Sequence, residues 1–271
     1  MRVRIIFDLR NRGAVLPFYH QHLFSGFIKD LLTDTSFGVN DNLFYNFSGL
    51  KGQTRVSRKG LHYCSRKVTL VLSALRTEVI DELLDSLFSR EHIQIGELEL
   101  APEAVEQELM PEQREMTKYI CISPLVVSSP RFHRDTKEFI VPSMDKFSDL
   151  LYDSTLTRME ESGHYNDTEM AEFYKFQLVP DRRYLEKIQQ EEKKFARIYP
   201  LEGQGSEVEV RGYTFPFVLY AHPQVQNFIC SCGLGEYTDY GFGMLDFAHS
   251  DPTQRTQPYG KYGIIEENNK K

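Results

Sequence analysis

Apolar and polar residues alternate over residues 3–9 (VRIIFDL), so the chain opens with a predicted strand. Leu16 and Pro17 introduce a helix over 18–32, with Pro17 near its first turn. Residues 67–75 (KVTLVLSAL) alternate again and are β-branched, which predicts a strand. Over 77–90 the apolar positions Val79, Ile80, Leu83, Leu84 and Leu87 recur at helical spacing, with Thr77 as a candidate cap. Residues 92–100 (HIQIGELEL) return to alternation, and a hairpin is expected around 43–64. The second half repeats this order. A strand is expected over 119–128, a helix over 144–161 and a strand or its approach over 169–178. A strand pair broken by Pro216 follows over 207–221, then a segment 224–232 leading into a glycine-rich turn, and a last strand over 243–248. Strand, helix, strands, helix, strand occurs twice. The predicted fold class is therefore α+β, two tandem ferredoxin-like (RRM-like) domains with a C-terminal glycine-rich loop.

Between 97 and 115 stand seven glutamates and one arginine, with Pro102 and Pro111. Such a run predicts a solvated linker or edge and a boundary near 110–118. The expected domains are 1–115 and 116–250, and the polar segment 251–271 is expected to be a loose, flexible tail. With 271 residues, the chain is long enough for each half to bury a core.

No run of about 18 apolar residues predicts a membrane span, and the charged start reads as a strand, not a signal peptide. Cys64, Cys121, Cys230 and Cys232 form no CxxC pair. They are expected to be reduced cysteines of a cytoplasmic protein, with no structural zinc. The net charge of -7 argues against a protein that coats nucleic acid over its whole surface. Its distribution changes that picture. From Gly49 to Thr77 there is no acidic residue, while Lys51, Arg55, Arg58, Lys59, Arg66, Lys67 and Arg76 supply seven positive charges, with Tyr63 among them. Arginine forks and an aromatic face suit phosphate and base contacts. Arg131, His133, Arg134 and Lys137 form a smaller basic group, and Arg182, Arg183, Lys193 and Lys194 are interspersed with acids.

Residues 233–247 read GLGEYTDYGFGMLDF. The glycines Gly233, Gly235, Gly241 and Gly243 permit positive φ, and such a loop can offer bare N–H groups to a phosphate or simply close a tight hairpin. This segment resembles the C-terminal glycine-rich signature of the CRISPR-associated endoribonucleases that process repeat RNA, the sixth numbered Cas family, within the RAMP superfamily. Three further segments are similar to that family's landmarks and occur in the same order: LPFYHQHLFSGFI at 16–28, FYNFSGL at 44–50 and ISPLVV at 122–127. The resemblance implies binding of CRISPR repeat RNA and cleavage without a metal or other cofactor. The ribose 2′-OH attacks the adjacent phosphate and leaves 2′,3′-cyclic phosphate and 5′-OH ends. Further CRISPR effector-complex proteins and a second copy of the chain are the other partners it admits, and no membrane is among them.

The family usually supplies a catalytic histidine from the loop after the opening helix. Here that loop, 33–42 (TDTSFGVNDN), has none. Either other residues carry the chemistry, or the protein holds the repeat with weak or no cutting. On a helical projection Leu23, Phe24, Phe27, Ile28 and Leu31 share one face, and His22, Ser25 and Lys29 the opposite one. His22 is the candidate acid or base. Lys29, where the family often has a tyrosine, is the candidate phosphate stabiliser. Lys51 follows the FSGL strand, near which the family often carries a lysine at the scissile phosphate, with Tyr45 as a possible aid. His20 is a further catalytic candidate, or a packed or capping histidine. The RNA-binding candidates are Arg55, Arg58, Lys59, Arg66, Arg131 and Arg134, with the four glycines. A third reading, an unrelated α+β interaction protein, is opposed by the acid-free stretch and by the four ordered landmarks.

Overall fold

A computed structural model describes residues 1–39, 43–128, 140–193, 195–203 and 206–263. Its first elements are β1 (Arg2–Leu9), β2 (Val15–Leu16), α1 (Gln21–Thr33), β3 (Tyr45–Phe47), β4 (Thr54–Val56), β5 (Leu61–Tyr63), β6 (Lys67–Ala74) and α2 (Thr77–Phe88). There follow β7 (Ile93–Ile95), β8 (Leu98–Glu108), β9 (Met116–Cys121), β10 (Leu125–Val126), α3 (Asp145–Glu161), α4 (Asp167–Glu172), β11 (Phe176–Pro180) and α5 (Arg182–Gln190). The last are β12 (Ala196–Gly203), β13 (Ser206–Tyr213), β14 (Pro216–Ala221), α6 (Pro223–Cys232), β15 (Leu245–Phe247) and β16 (Thr256–Pro258). The described chain forms two compact units: one of Met1–Val39, Gly49–Pro111 and the segment from Ser250, the other of the segment to Ser48 that includes β3, and Glu112–His249.

The first unit is built on an antiparallel sheet in the order β16-β8-β1-β6, with β7 on β8, and carries a small second sheet, β2-β5-β4. Strands β1 and β6 are continuously apolar on the side facing α1 and α2, and Val3, Ile5, Phe7, Leu70, Leu72, Ile80 and Leu84 are its fully buried centre. Helix α2 buries the five apolar positions its periodicity assigns. Its N-cap is Arg76 in extended backbone with no side-chain cap, so Thr77 is the first helical residue and not the cap. Helix α1 begins at Gln21, four residues beyond Pro17, because Pro17 and its neighbours form the turn that enters it.

Two expectations are corrected here. The acidic stretch is no linker: β8 runs through it to Glu108, flanked by β1 and β16. Its alternation is sound, and its glutamates find partners, Glu103 with Lys67 at 2.6 Å and Glu108 with Arg2 at 2.6 Å. The segment after Asp251 is no loose tail over its described part. Thr256–Pro258 pairs with β8, and the Tyr259 hydroxyl donates to Asp81 at 2.6 Å. Tyr262 stacks on Phe88 with centroids 4.3 Å apart, and Lys261 pairs with Asp85 at 2.8 Å.

The second unit has a four-stranded antiparallel sheet in the order β11-β14-β9-β15, with α3 between β9 and β11 and α6 between β14 and β15. Numbered within the unit this is the 2-3-1-4 order of a ferredoxin-like fold. A second sheet, β10-β13-β12, carries Tyr199, Leu201 and Val210 into a cluster with Val126 and Phe242. The expected strand over 169–178 is in part a helix. Asn166 caps α4 and Glu169 returns the bond, a capping box, and β11 starts only at Phe176. Cys121, Cys230 and Cys232 are buried thiols and Cys64 is half-buried. Among the described residues no helix is long and apolar enough to cross a membrane.

Candidate nucleic-acid interface

In the first unit the turn at 17–20 and two segments between 49 and 63 meet at the start of α1. The first is the turn 17–20. His20 there is 8% exposed, and its Nδ1 lies 2.8 Å from the Pro17 carbonyl. A carbonyl can only accept, so Nδ1 carries the proton and Nε2 is bare. The ring stands edge-on to Phe24, with centroids 5.7 Å apart. The second segment is Gly49–Lys51: a Cβ added at Gly49 would lie 3.3 Å from His20 Nε2. Two residues on, Lys51 is pinned to β6 by reciprocal bonds, its N–H to the Thr69 carbonyl at 2.8 Å and the Thr69 N–H back at 2.9 Å.

The third segment is the hairpin of β4 and β5, where Arg55 faces His62 across the ladder. The Ser57 N–H donates to the Gly60 carbonyl at 2.9 Å and closes a two-residue tip of Arg58 and Lys59. Gly60, at φ +146, packs so closely on β2 that a Cβ would sit 2.0 Å from the Leu16 carbonyl. That contact places the cationic tip beside the turn that enters α1. Arg55, Arg58 and Lys59 are all exposed. The acid-free stretch is less basic in space than in sequence: Arg66 is held by Asp8 at 2.8 Å, Lys67 by Glu103, and Arg76 lies over the Phe37 ring at 4.8 Å.

Helix α1 buries Phe24, Ser25, Ile28, Leu31 and Leu32, while Leu23 and Phe27 are half-buried. The buried arc is thus rotated from the projected one, and Ser25 is inside, because Ser25 and Leu32, seven residues apart, form one ridge. His22 and Lys29 are half-buried along the flank of that ridge. They stand about 20° apart around the axis and about 10 Å apart along it.

Burial holds the His20 imidazole below its ordinary value of 6.5, with His22 adding to the effect and the Pro17 bond opposing it. The folded state therefore prefers neutral His20, and its contribution to stability is lost as pH falls below 6.5. Denaturation midpoints measured between pH 8 and pH 5 should decline, and His20→Gln should flatten that decline; an unchanged slope contradicts the assignment. The His20 ring is enclosed between the Pro17 carbonyl, the Phe24 ring and Gly49.

In the glycine-rich segment, in the second unit, three of the four glycine amides are spent on backbone carbonyls. All four glycines have positive φ and are buried. Gly233 N–H donates to Ile229, Gly241 N–H to Thr238 and Gly243 N–H to Pro124. At Gly243, φ +72, a Cβ would meet the Leu234 carbonyl at 1.9 Å, so close backbone packing requires glycine there. Arg158 of α3, which sequence reasoning missed, anchors this loop. Its Nη2 donates to the Cys232 carbonyl at 2.6 Å and its Nη1 to Gly233 at 3.0 Å, so it closes the end of α6. Burial pulls its guanidinium down, against the nearby Glu236 and Asp239 carboxylates. The only signal in sequence was an arginine in the last turn of a helix, which suits the helix dipole. Arg131 and Arg134 lie outside the described residues. Among the described residues no three or more His, Cys, Asp or Glu side chains gather as a metal site would need.

Residues 105–247, just over half of the chain, match the family model for CRISPR associated protein Cas6, C-terminal. The chain belongs to the Cas6 family. No curated protein matched it. Among solved structures this Cas6 chain is similar to a Cas6-related protein from Pyrococcus furiosus, with 18% identity, a TM-score of 0.74, and 93% of this chain and 99% of that one covered. A RAMP protein described as binding different RNA substrates matches at 19% identity and a TM-score of 0.74, over 91% and 99% of the two chains. A CRISPR associated protein Cas6 matches at 17% identity and a TM-score of 0.71, over 92% and 99%. At these identities the likeness establishes the fold: this Cas6 chain has the tandem ferredoxin-like architecture of its relatives.

Proposed function

We propose that this Cas6 family member binds CRISPR repeat RNA across the first unit and cleaves it without a metal ion. The observation that carries the reading is the convergence of the Arg55, Arg58 and Lys59 hairpin with the start of α1, in a chain whose family processes repeat RNA. In the proposed step a base removes the 2′-OH proton, and the 2′-oxygen bonds to the adjacent phosphorus. The P–O5′ bond breaks and an acid protonates the leaving 5′-oxygen. His22 is the proposed acid or base. Lys29 and Lys51 are the proposed donors to the phosphorane, where a fixed positive charge acts on developing negative charge. A site spanning about 10 Å of helix lets His22 and Lys29 bracket one phosphodiester from either side.

A second reading, repeat binding without cutting, is favoured by one observation: residues 33–42 hold no histidine. Both readings require the hairpin to bind phosphate. Replacing Arg55, Arg58 and Lys59 together by Ala should weaken repeat-RNA binding and reduce the slope of log K against log salt by about 2, at about 0.7 per single-stranded phosphate contact. Titration at four salt concentrations measures it. An unchanged slope removes the hairpin from the interface.

A further inference from the structure

The second unit carries a groove that none of the candidate site residues above line. Its volume is about 770 Å³, and it follows the outer edge of β11 between the first turns of α3 and helix α5. Two tyrosines open onto it, Tyr174 at 68% exposure and Tyr220 at 43%. Tyr220 projects from the solvent side of the sheet, level with Gln177 of β11 and Met116 of β9. Lys175 reaches to 5.8 Å from the centroid of the Tyr174 ring, and Arg182 stands exposed at the start of α5. Ser143, Asp145, Asp149 and Gln177 add hydroxyl, carboxylate and amide groups to the lining.

The edge of β11 decides against a peptide. Strand addition needs outward N–H groups on alternate residues. The outward N–H of Leu178 already donates to Ser148 Oγ at 2.9 Å, and Pro180, two residues on and on the same side, has none. What remains is a groove that binds through side chains: flat aromatic faces, polar groups along the edges and two cations. An unpaired nucleotide uses all three, with its base on an aromatic ring, its edge on amides and carboxylates, and its phosphate on Lys or Arg.

We propose that this groove binds an unpaired stretch of RNA, its bases stacked on Tyr174 and Tyr220 and its phosphates met by Lys175 and Arg182. The inference rests on the repeat-RNA reading and adds to it a second contact, for single-stranded rather than folded RNA. The test uses fluorescein-labelled decauridylate and the repeat RNA in parallel, at low salt. Tyr174→Ala and Tyr220→Ala should each weaken decauridylate binding about five- to 150-fold, and Tyr174→Phe and Tyr220→Phe should restore it, because stacking needs the ring and not the hydroxyl. Both rings are exposed, so the variants retain the core. Decauridylate affinity unchanged in both Ala variants, or repeat RNA bound with no decauridylate binding, overturns the groove and leaves the repeat reading standing. Failure to bind either RNA overturns both.

Discussion

Glu108→Leu should destabilise the first unit by about 3–5 kcal/mol, the effect of leaving one member of a buried ion pair without its partner. Arg2 Nε lies 2.6 Å from Glu108 Oε2, and the two side chains are 1% and 0% exposed. They stand at the end of the β1–β8 ladder, one step past the Val3–Gln107 pair, and β16 closes over Glu108 from the other side through the Thr256–Glu108 pair. Arg4 Nε, 3.8 Å from Glu108 Oε1, adds a second positive charge. With Glu108 gone, the buried Arg2 guanidinium loses the carboxylate that faces it, while Arg4 keeps Glu106 at 4.0 Å. Arg2→Met combined with Glu108→Leu should recover most of the loss, since an apolar pair of similar volume replaces the ions. Urea unfolding of the single and double variants measures this. A Glu108→Leu midpoint equal to that of the parent contradicts the burial, and a double variant no better than the single contradicts its ionic cause.

On the chemistry, His22→Ala should slow cleavage of the repeat by about 10²–10⁴-fold, the usual worth of a positioned acid–base group, and Lys29→Ala by about 10²–10³-fold, the worth of one donor to developing charge, with RNA affinity nearly unchanged in each. Both side chains are half-buried on the flank of α1, outside the buried ridge, so neither substitution opens the core. The split between rate and affinity separates a chemical role from a phosphate contact. A Lys29→Ala enzyme that cleaves at the parent rate takes Lys29 out of the mechanism, and the same result at His22 takes out His22. His20→Ala should act differently, through stability and its pH dependence, because its ring is enclosed between Pro17, Phe24 and Gly49.

The α+β class and the doubled strand–helix order were legible because β1, β6 and α2 carry clean periods of 2 and 3.6 residues. The stretch around β8 was not, because seven glutamates between 97 and 115 read as solvated, and the partner that lets Glu108 enter the core is Arg2, at the other end of the unit's sequence. Residues 256–262 read as polar for a similar reason: their tyrosines and lysine are matched to Asp81 and Asp85 of α2, and such pairing leaves no local pattern. Of the site, the basic hairpin and the glycine-rich segment were both visible. Their meaning in space was only partly so. Arg66 and Lys67 face carboxylates, and Gly233, Gly241 and Gly243 turn their amides inward onto backbone carbonyls, with Arg158 fastening the loop from a helix that sequence alone gave no reason to bring there.

The central claim is tested most directly by incubating the protein with its repeat RNA in EDTA and mapping the ends. The account predicts one cut within the repeat, leaving a 2′,3′-cyclic phosphate and a 5′-OH. Repeat RNA that is bound tightly but stays intact, or a cut that leaves a 5′-phosphate, would contradict it.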